Sequence, residues 1–324
     1  MGVLESVGVA ATRSIARVYV LTLLLGASAC NLREYAVDRA VEEQVHYIPD
    51  PEHLAGSDLT KVTDRVYAFR WTWDRSMVVL TDDGFVVTDP MNPEAARLLK
   101  AELDKLAPGK PVHTMFYSHY HLDHVPGGAV LHPQNVVAHA KCPEYWKELA
   151  DSPATRDILP PTKLIEGDQK FVIGGVEIDL LYLGHSHTDT LYAFYLPGEK
   201  LLHTADMGLV RTVFPMGGPD MYMPGVLQQM DRLSHLDFDA WIPSHFGMGK
   251  KADFIESLQF ARDVRRLSLE ALARYGLPDT ESGLLAGFHS VYDPLKAKYG
   301  SYHGFNEEAL FIAARGYSGA LLGY

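Results

Sequence analysis

The chemistry this chain can do is concentrated in one short string. Ser118-His119-Tyr120-His121-Leu122-Asp123-His124 places three imidazoles and a carboxylate within six positions. It follows directly on the apolar run from Val112 to Tyr117, which reads as a strand. Residues two apart on a strand face the same side, so His119 and His121 can converge on one cation. Past the strand end the chain can turn, and Asp123 and His124 can then address a second cation beside the first. Gly127-Gly128 permits the close backbone approach that such a turn needs. Imidazole and carboxylate together suit zinc, iron or manganese, whereas two cysteines in the whole chain disfavour copper(I) and iron–sulfur chemistry. Any single histidine here could be a satisfied core or surface residue, but that reading explains the whole string poorly. Of the 15 histidines, His113, His132, His139, His203 and His235 fit no such pattern and read as structural or surface residues.

Strands must surround and position this string. Val66 to Phe69, Met77 to Leu80 and Phe85 to Thr88 are short β-branched or aromatic runs, the last two joined by the hairpin sequence Asp82-Asp83-Gly84. Pro93 to Leu106 carries apolar residues at Ala96, Leu98, Leu99, Leu103 and Leu106, the spacing of an amphipathic helix that opens on proline. After a helical or irregular insert around 143–165, a second β-rich half begins. Lys170 to Ile173 and Val176 to Leu183 flank the turn Gly174-Gly175, and Thr190 to Leu196 and Leu201 to Thr204 are joined through Pro197-Gly198. Residues 224–234 read as a helix, Ala240 to Pro243 as a short strand and Ala252 to Tyr275 as a long helix. Residues 276–324 show one further helix near Glu307 to Ala314.

The chain has 324 residues and a net charge of −12, enough for one or two domains with a full core. An acidic balance argues against a nucleic-acid partner, since phosphate backbones attract basic faces. Two cysteines cannot build a disulfide framework. Near the amino terminus, Arg13 and Arg17 precede the apolar run Val18 to Leu25, and small residues at 26–29 follow it. That is the layout of an export sequence, and the run is too short to span a bilayer, which takes about 20 residues. Ala27-Ser28-Ala29-Cys30 resembles a bacterial lipobox, with Ala27 where leucine is usual, so residues 1–30 read as a signal peptide with Cys30 as a candidate lipid anchor. The expected location is the bacterial periplasm or envelope, with membrane contact only through that segment; an ordinary amphipathic start is the other reading. Residues 31–55 read as a tether, and Cys142 as a buried thiol without a role.

Four motifs in order resemble the metallo-β-lactamase superfamily. They are the histidine string, Gly184-His185-Ser186-His187-Thr188, Leu202-His203-Thr204-Ala205-Asp206 and Ile242-Pro243-Ser244-His245-Phe246-Gly247. The resemblance implies a four-layer αββα sandwich over residues 56–251, with a carboxy-terminal helical extension over 252–324. It implies two divalent metal ions, zinc first with iron or manganese as alternatives. His119, His121 and His187 would hold one ion, Asp123, His124 and His245 the other, and Asp206 would bridge. Asp89 would support a ligand histidine from behind. His185 competes with His187 for one place. The run from His187 to the Pro197-Gly198 turn has the family's length, which favours His187 and leaves His185 as a supporting or pocket residue.

Two adjacent ions can share a water, lower its pKa towards neutrality and polarise the bond to be attacked. A metal-bridging hydroxide is then the expected nucleophile, with Asp123 holding or relaying its proton. Tyr117 and Tyr120 are candidate donors to an oxyanion, though aromatic packing explains them as well. The expected activity is hydrolysis of a small ester, lactone, amide, sulfate ester or phosphoester. The alternatives are a mononuclear-iron dioxygenase of the persulfide type on the same fold and a non-catalytic envelope binding module. Asp206 stands where the best-known zinc β-lactamases have a cysteine, His121 where flavin-linked di-iron relatives have a glutamate, and Ser244 where glycine is usual. Substrate choice would come from residues 70–76, 143–165 and 207–224, where Trp71, Trp73 and the segment Met207 to Met223 offer an apolar rim.

Overall fold

The computed structural model describes residues 56–324 apart from 215–217, 219, 277–280 and 324. The expected export sequence, Cys30 and the tether at 31–55 lie outside the described residues. The alternating strand runs build a first sheet of seven strands in sequence order. β1 (Ser57–Lys61), β2 (Val66–Trp71), β3 (Asp74–Thr81) and β4 (Gly84–Thr88) are antiparallel neighbours. β5 (Val112–Phe116), β6 (Asn135–His139) and β7 (Lys163–Ile165) continue the sheet in parallel. Parallel neighbours need crossovers, and the helices supply them: α1 (Pro93–Leu106), α2 (Gly128–Leu131) and α3 (Cys142–Glu148).

The start of α1 is written locally. The Asn92 side chain accepts from the Glu94 and Ala95 amides, each at 3.0 Å, and Pro93 occupies the first turn, where its missing N–H costs nothing. Such a cap is worth about 1 kcal/mol. The helix buries Ala95, Ala96, Leu99 and Leu103 against the first sheet.

The second sheet has the order β13-β12-β11-β10-β9-β8. It consists of β8 (Gln169–Ile173), β9 (Val176–Tyr182), β10 (Tyr192–Leu196), β11 (Leu201–Thr204), β12 (Ala240–Pro243) and β13 (Gly249–Lys250). β11 and β12 are parallel, and α4 (Met223–Ser234) crosses between them. α5 (Lys251–Tyr275), α6 (Glu281–Tyr299) and α7 (Phe305–Leu322) complete the chain.

The two-residue period of the strands sorts side chains into layers. Met77 and Val79 of β3 face the second sheet and meet Leu180, Phe194 and Ile242, while Val78 between them faces α1. Ile242 faces inward, and its neighbour Trp241 turns out to Met230 of α4 and Phe254 of α5. Two mixed sheets flanked by helices therefore make the αββα sandwich. α5 serves two layers. Phe254 and Leu258 pack on the second sheet, and Val264, Leu267 and Ala271 pack on Val291, Leu295, Ile312 and Tyr317 of the last two helices. A division at residue 251 thus detaches a helix that belongs to the outer layer of the sandwich. The described residues after 276 form two helices, Glu281–Tyr299 and Phe305–Leu322, where the sequence pattern indicated one near 307–314. Their tyrosines and glycines pack against other helices rather than on a solvent-facing stripe, so their periodicity is weak. Among the described residues, no helix is long and apolar enough to cross a membrane.

Candidate metal centre

Four strands end on one rim of the sandwich, and each delivers a polar residue just beyond its end. Asp89 follows β4, His119 follows β5, Asp206 follows β11 and His245 follows β12. The histidine string is not strand. β5 stops at Phe116, and the segment beyond it turns, with the His124 and Val125 amides both donating to the His121 carbonyl. His119 and His121 converge because the chain bends there, not because of strand alternation. Gly127 has φ +91°, and a Cβ on it would lie 2.5 Å from the Asn92 backbone. The turn therefore requires glycine.

Donor atoms of His119, His121, His187 and Asp206 all lie within 4.8 Å of one another, and so do those of Asp123, His124 and His245. The Asp206 carboxylate joins the two groups. Its Oδ2 is 3.3 Å from His119 Nε2, 3.2 Å from His124 Nε2 and 3.1 Å from His187 Nε2. Its Oδ1 is 2.6 Å from His245 Nε2. His187 Nε2 and His121 Nδ1 face each other at 3.1 Å. Asp123 Oδ2 lies 3.5 Å from His124 Nε2 and is the exposed member of the set. His185 is exposed, and its ring stacks on Tyr222 at 4.5 Å rather than on a donor imidazole. Residues 183–189 are not strand, so positions 185 and 187 need not share a face.

Behind the donors, oxygen atoms address the outward imidazole nitrogens. Ser118 Oγ is 2.9 Å from His119 Nδ1. Asp89, fully buried, accepts from the Ser118 amide at 2.8 Å and sits 3.5 Å from His124 Nδ1. Asp74 Oδ1 is 2.8 Å from His245 Nδ1. Such partners fix the tautomer and aim of an imidazole. Ser244 acts on the central carboxylate: its Oγ accepts from the Asp206 amide at 3.1 Å and donates to Asp206 Oδ1 at 3.0 Å. The sequence reading passed over Ser118, Asp74 and Ser244 as site residues. Ser118 and Ser244 adjoin histidines of the motifs, a signal that could have found them. Asp74 begins a strand 171 positions from His245, and only tertiary contact reveals it.

The charges follow from this packing. Burial, helped by the neighbouring His124, drives His119 well below its ordinary value. Burial and His187 bring His121 down to about 4. Burial would also lower His124, but Asp123 and Asp206 hold it well above the usual range. Against the same burial, Asp206 and Asp220 raise His187 to about 9, and Asp206 and Asp74 raise His245 to about 10. Burial opposes the charge on Asp206 as well, yet His245, His124 and His187 keep it ionised well below the carboxylate range.

A divalent ion fits these residues. His119 Nε2 and His124 Nε2 are buried without a hydrogen-bond partner, a costly arrangement unless a cation takes their lone pairs. The donor set of imidazoles and carboxylates suits a borderline divalent metal. Tyr117 is not available to the site, because its hydroxyl donates to the Leu159 carbonyl at 2.9 Å. The Tyr120 ring stacks on Tyr145 at 4.0 Å. Cys142 is a buried free thiol that burial pushes up to about 12.

A sequence profile described as the metallo-beta-lactamase superfamily matches residues 74–245, the span that carries every donor just described. The chain belongs to the metallo-beta-lactamase superfamily. Over 215 residues it is 29% identical to the 2,4-dinitroanisole O-demethylase subunit alpha of Nocardioides sp. (strain JS1661), which covers 65% of this chain and 62% of that protein. The chain thus spans under two thirds of that relative's length. Among solved structures, a metallo-beta-lactamase from Pontibacter korlensis is similar with a TM-score of 0.56 and 19% identity, covering 64% of this chain and 99% of that one. The stereoselective inverting sec-alkylsulfatase of Pseudomonas sp. is similar with a TM-score of 0.63 and 16% identity, covering 83% of this chain and 50% of that one. At these identities the structural likeness speaks for the fold.

Proposed function

We propose that the chain is a metal-dependent hydrolase whose two donor groups hold two divalent ions, zinc being the ion assigned here, and that it cleaves a small substrate at a C–O or related ester-type bond. One observation carries the reading: a single buried carboxylate, Asp206, lies within 3.3 Å of four imidazoles drawn from both donor groups. The name of the O-demethylase relative supports a C–O bond as the point of attack. When bound, divalent ions supply Lewis acidity that acidifies water and polarises the bond to be broken. Within this reading, His119, His121 and His187 would hold one ion and Asp123, His124 and His245 the other, with Asp206 placed to serve both. Asp123, exposed on its outer side, accepts a proton from water there. Ser118, Asp89 and Asp74 keep the imidazoles aimed, so that little reorganisation is needed during the reaction.

The second reading, a mononuclear-iron dioxygenase, would use one donor group. The complete second group of Asp123, His124 and His245 favours two ions. Metal analysis of the purified chain, joined to a panel of chromogenic esters, lactones, aryl methyl ethers, sulfate esters and phosphodiesters, tests the choice. Two zinc ions per chain and a turnover that chelation abolishes and zinc restores are expected. One iron per chain, or two zinc ions with no turnover across the panel, overturns the proposal. Export and a lipid at Cys30 are also part of this proposal, checked by mass measurement of the mature amino terminus.

A further inference from the structure

We propose that Asp220, which lies outside the seven donors, is a positioning carboxylate for His187 and His121, and that Arg315 of α7 holds it in place. The inference rests on reading the donor groups as a metal centre. His187 Nε2 and His121 Nδ1 are the inward nitrogens, facing each other at 3.1 Å. An imidazole that gives one nitrogen to a cation keeps its proton on the other, and that N–H needs an acceptor. For three of the five imidazoles the acceptor is already described: Ser118 for His119, Asp89 for His124 and Asp74 for His245. His187 and His121 share Asp220. Its Oδ2 is 3.4 Å from His187 Nδ1 and 3.8 Å from His121 Nε2. The first distance lies at the outer limit of a hydrogen bond and the second is a charge contact beyond it. His187 is only 8% exposed, and its Nδ1 is buried without a hydrogen-bond partner, with the Asp220 carboxylate the acidic group beside it.

Asp220 is far from the histidine motifs in the chain, so the fold must bring it there. The chain just after Asp220 is fastened to the His187 loop through Tyr222 and the start of α4. The Tyr222 amide donates to the Ser186 carbonyl at 2.7 Å, and the Tyr222 ring stacks on His185. At Gly225 a Cβ would lie 1.9 Å from the His185 carbonyl oxygen, so the start of α4 lies directly on that loop. From the other side, Arg315 Nη2 donates to the Met221 carbonyl at 3.1 Å, gripping the residue next to Asp220. The last helix of the carboxy-terminal region thereby reaches the metal centre through one hydrogen bond and one carboxylate.

The test compares wild type with Asp220→Ala, Asp220→Glu, Arg315→Met and the Asp220→Ala/Arg315→Met pair. Zinc affinity is measured by competition with a chromophoric chelator, the visible spectrum after cobalt substitution, and melting of the metal-free chain. Asp220→Ala should weaken one ion by about 10–100-fold and change the cobalt spectrum, while the metal-free chain melts only slightly lower than wild type. Asp220→Glu should recover most of the affinity. Arg315→Met should weaken the same ion less, and the double variant should be no weaker than Asp220→Ala. Equal affinities and cobalt spectra for Asp220→Ala and wild type overturn the inference, as does lowered metal-free melting with unchanged affinity. A wild-type chain that binds no ion overturns the metal reading itself, which is a separate and distinguishable failure.

Discussion

At the scale of the residue, one hydroxyl governs the carboxylate at the centre of the site. Asp206 has φ +53°, a left-handed conformation that costs a side-chain-bearing residue on the order of 1 kcal/mol or more. Ser244 Oγ satisfies its amide and also donates to its Oδ1, so backbone and carboxylate are fixed by the same atom. Ser244→Ala should lose about 1–3 kcal/mol of stability, because it leaves a buried amide without an acceptor, and should weaken both ions. Urea unfolding and zinc titration check this, and an unchanged zinc affinity would remove Ser244 from the site. Asp74→Asn tests the neighbouring support. Loss of the carboxylate behind His245 should weaken zinc binding by about 10–100-fold, measured by the same titration. The seven candidate donors stand in short contiguous motifs of the chain, whereas Asp89 is indicated only by the family resemblance. Asp74 and Asp220 were not legible, because neither adjoins a histidine in sequence.

At the scale of the element, the site depends on how closely segments can approach. α4 begins against the His187 loop at a distance that admits no Cβ at residue 225. Gly225→Ala should therefore push the helix start away from His185 at a cost of about 1–3 kcal/mol, with metal affinity lost more than helix content. Circular dichroism and metal analysis of one preparation measure both, and full zinc affinity in this variant would show that the approach is not needed. The strands were readable from their β-branched and aromatic runs and the Asp-Asp-Gly and Gly-Gly turns. α1 was readable from Pro93 and its apolar stripe, while its Asn92 cap emerges only in the structure. The last two helices were read less well, because α6 and α7 bury residues against other helices on more than one side.

At the scale of the whole molecule, a buried polar tie joins the sandwich to the carboxy-terminal layer. Asp263 of α5 accepts from Lys298 at 2.7 Å, from Tyr299 at 2.6 Å and from Arg266 at 3.3 Å. Burial would raise its pKa, but these donors hold it down at about 2. A carboxyl whose folded pKa lies below its unfolded value of about 3.9 stabilises the fold above that value. That contribution is lost as the pH falls from about 4 towards 2. Asp263→Asn should melt lower than wild type at neutral pH, and the difference should shrink across that acid range. Thermal melts at a series of pH values measure it, and a difference independent of pH would assign the effect to packing instead. The same layer carries Arg315, so loosening α7 should be felt at the metal centre as well as in stability.

The amino-acid sequence by itself determined the class of chemistry and the architecture. Imidazoles and carboxylates at short spacing have few uses other than metal binding, and alternating apolar strands divided by helices pack stably in few ways. Local spacing also placed the ends of most strands, and donors sit just past strand ends in this fold. Tertiary structure decided which histidine of the 185–187 pair faces the donors, which side chains aim them, and how the last helix reaches the site. Those outcomes rest on contacts between residues far apart in the chain: Asp74 with His245, Ser244 with Asp206, and Arg315 with the carbonyl beside Asp220. No local periodicity encodes such pairs, because each forms only when separate layers are already packed together.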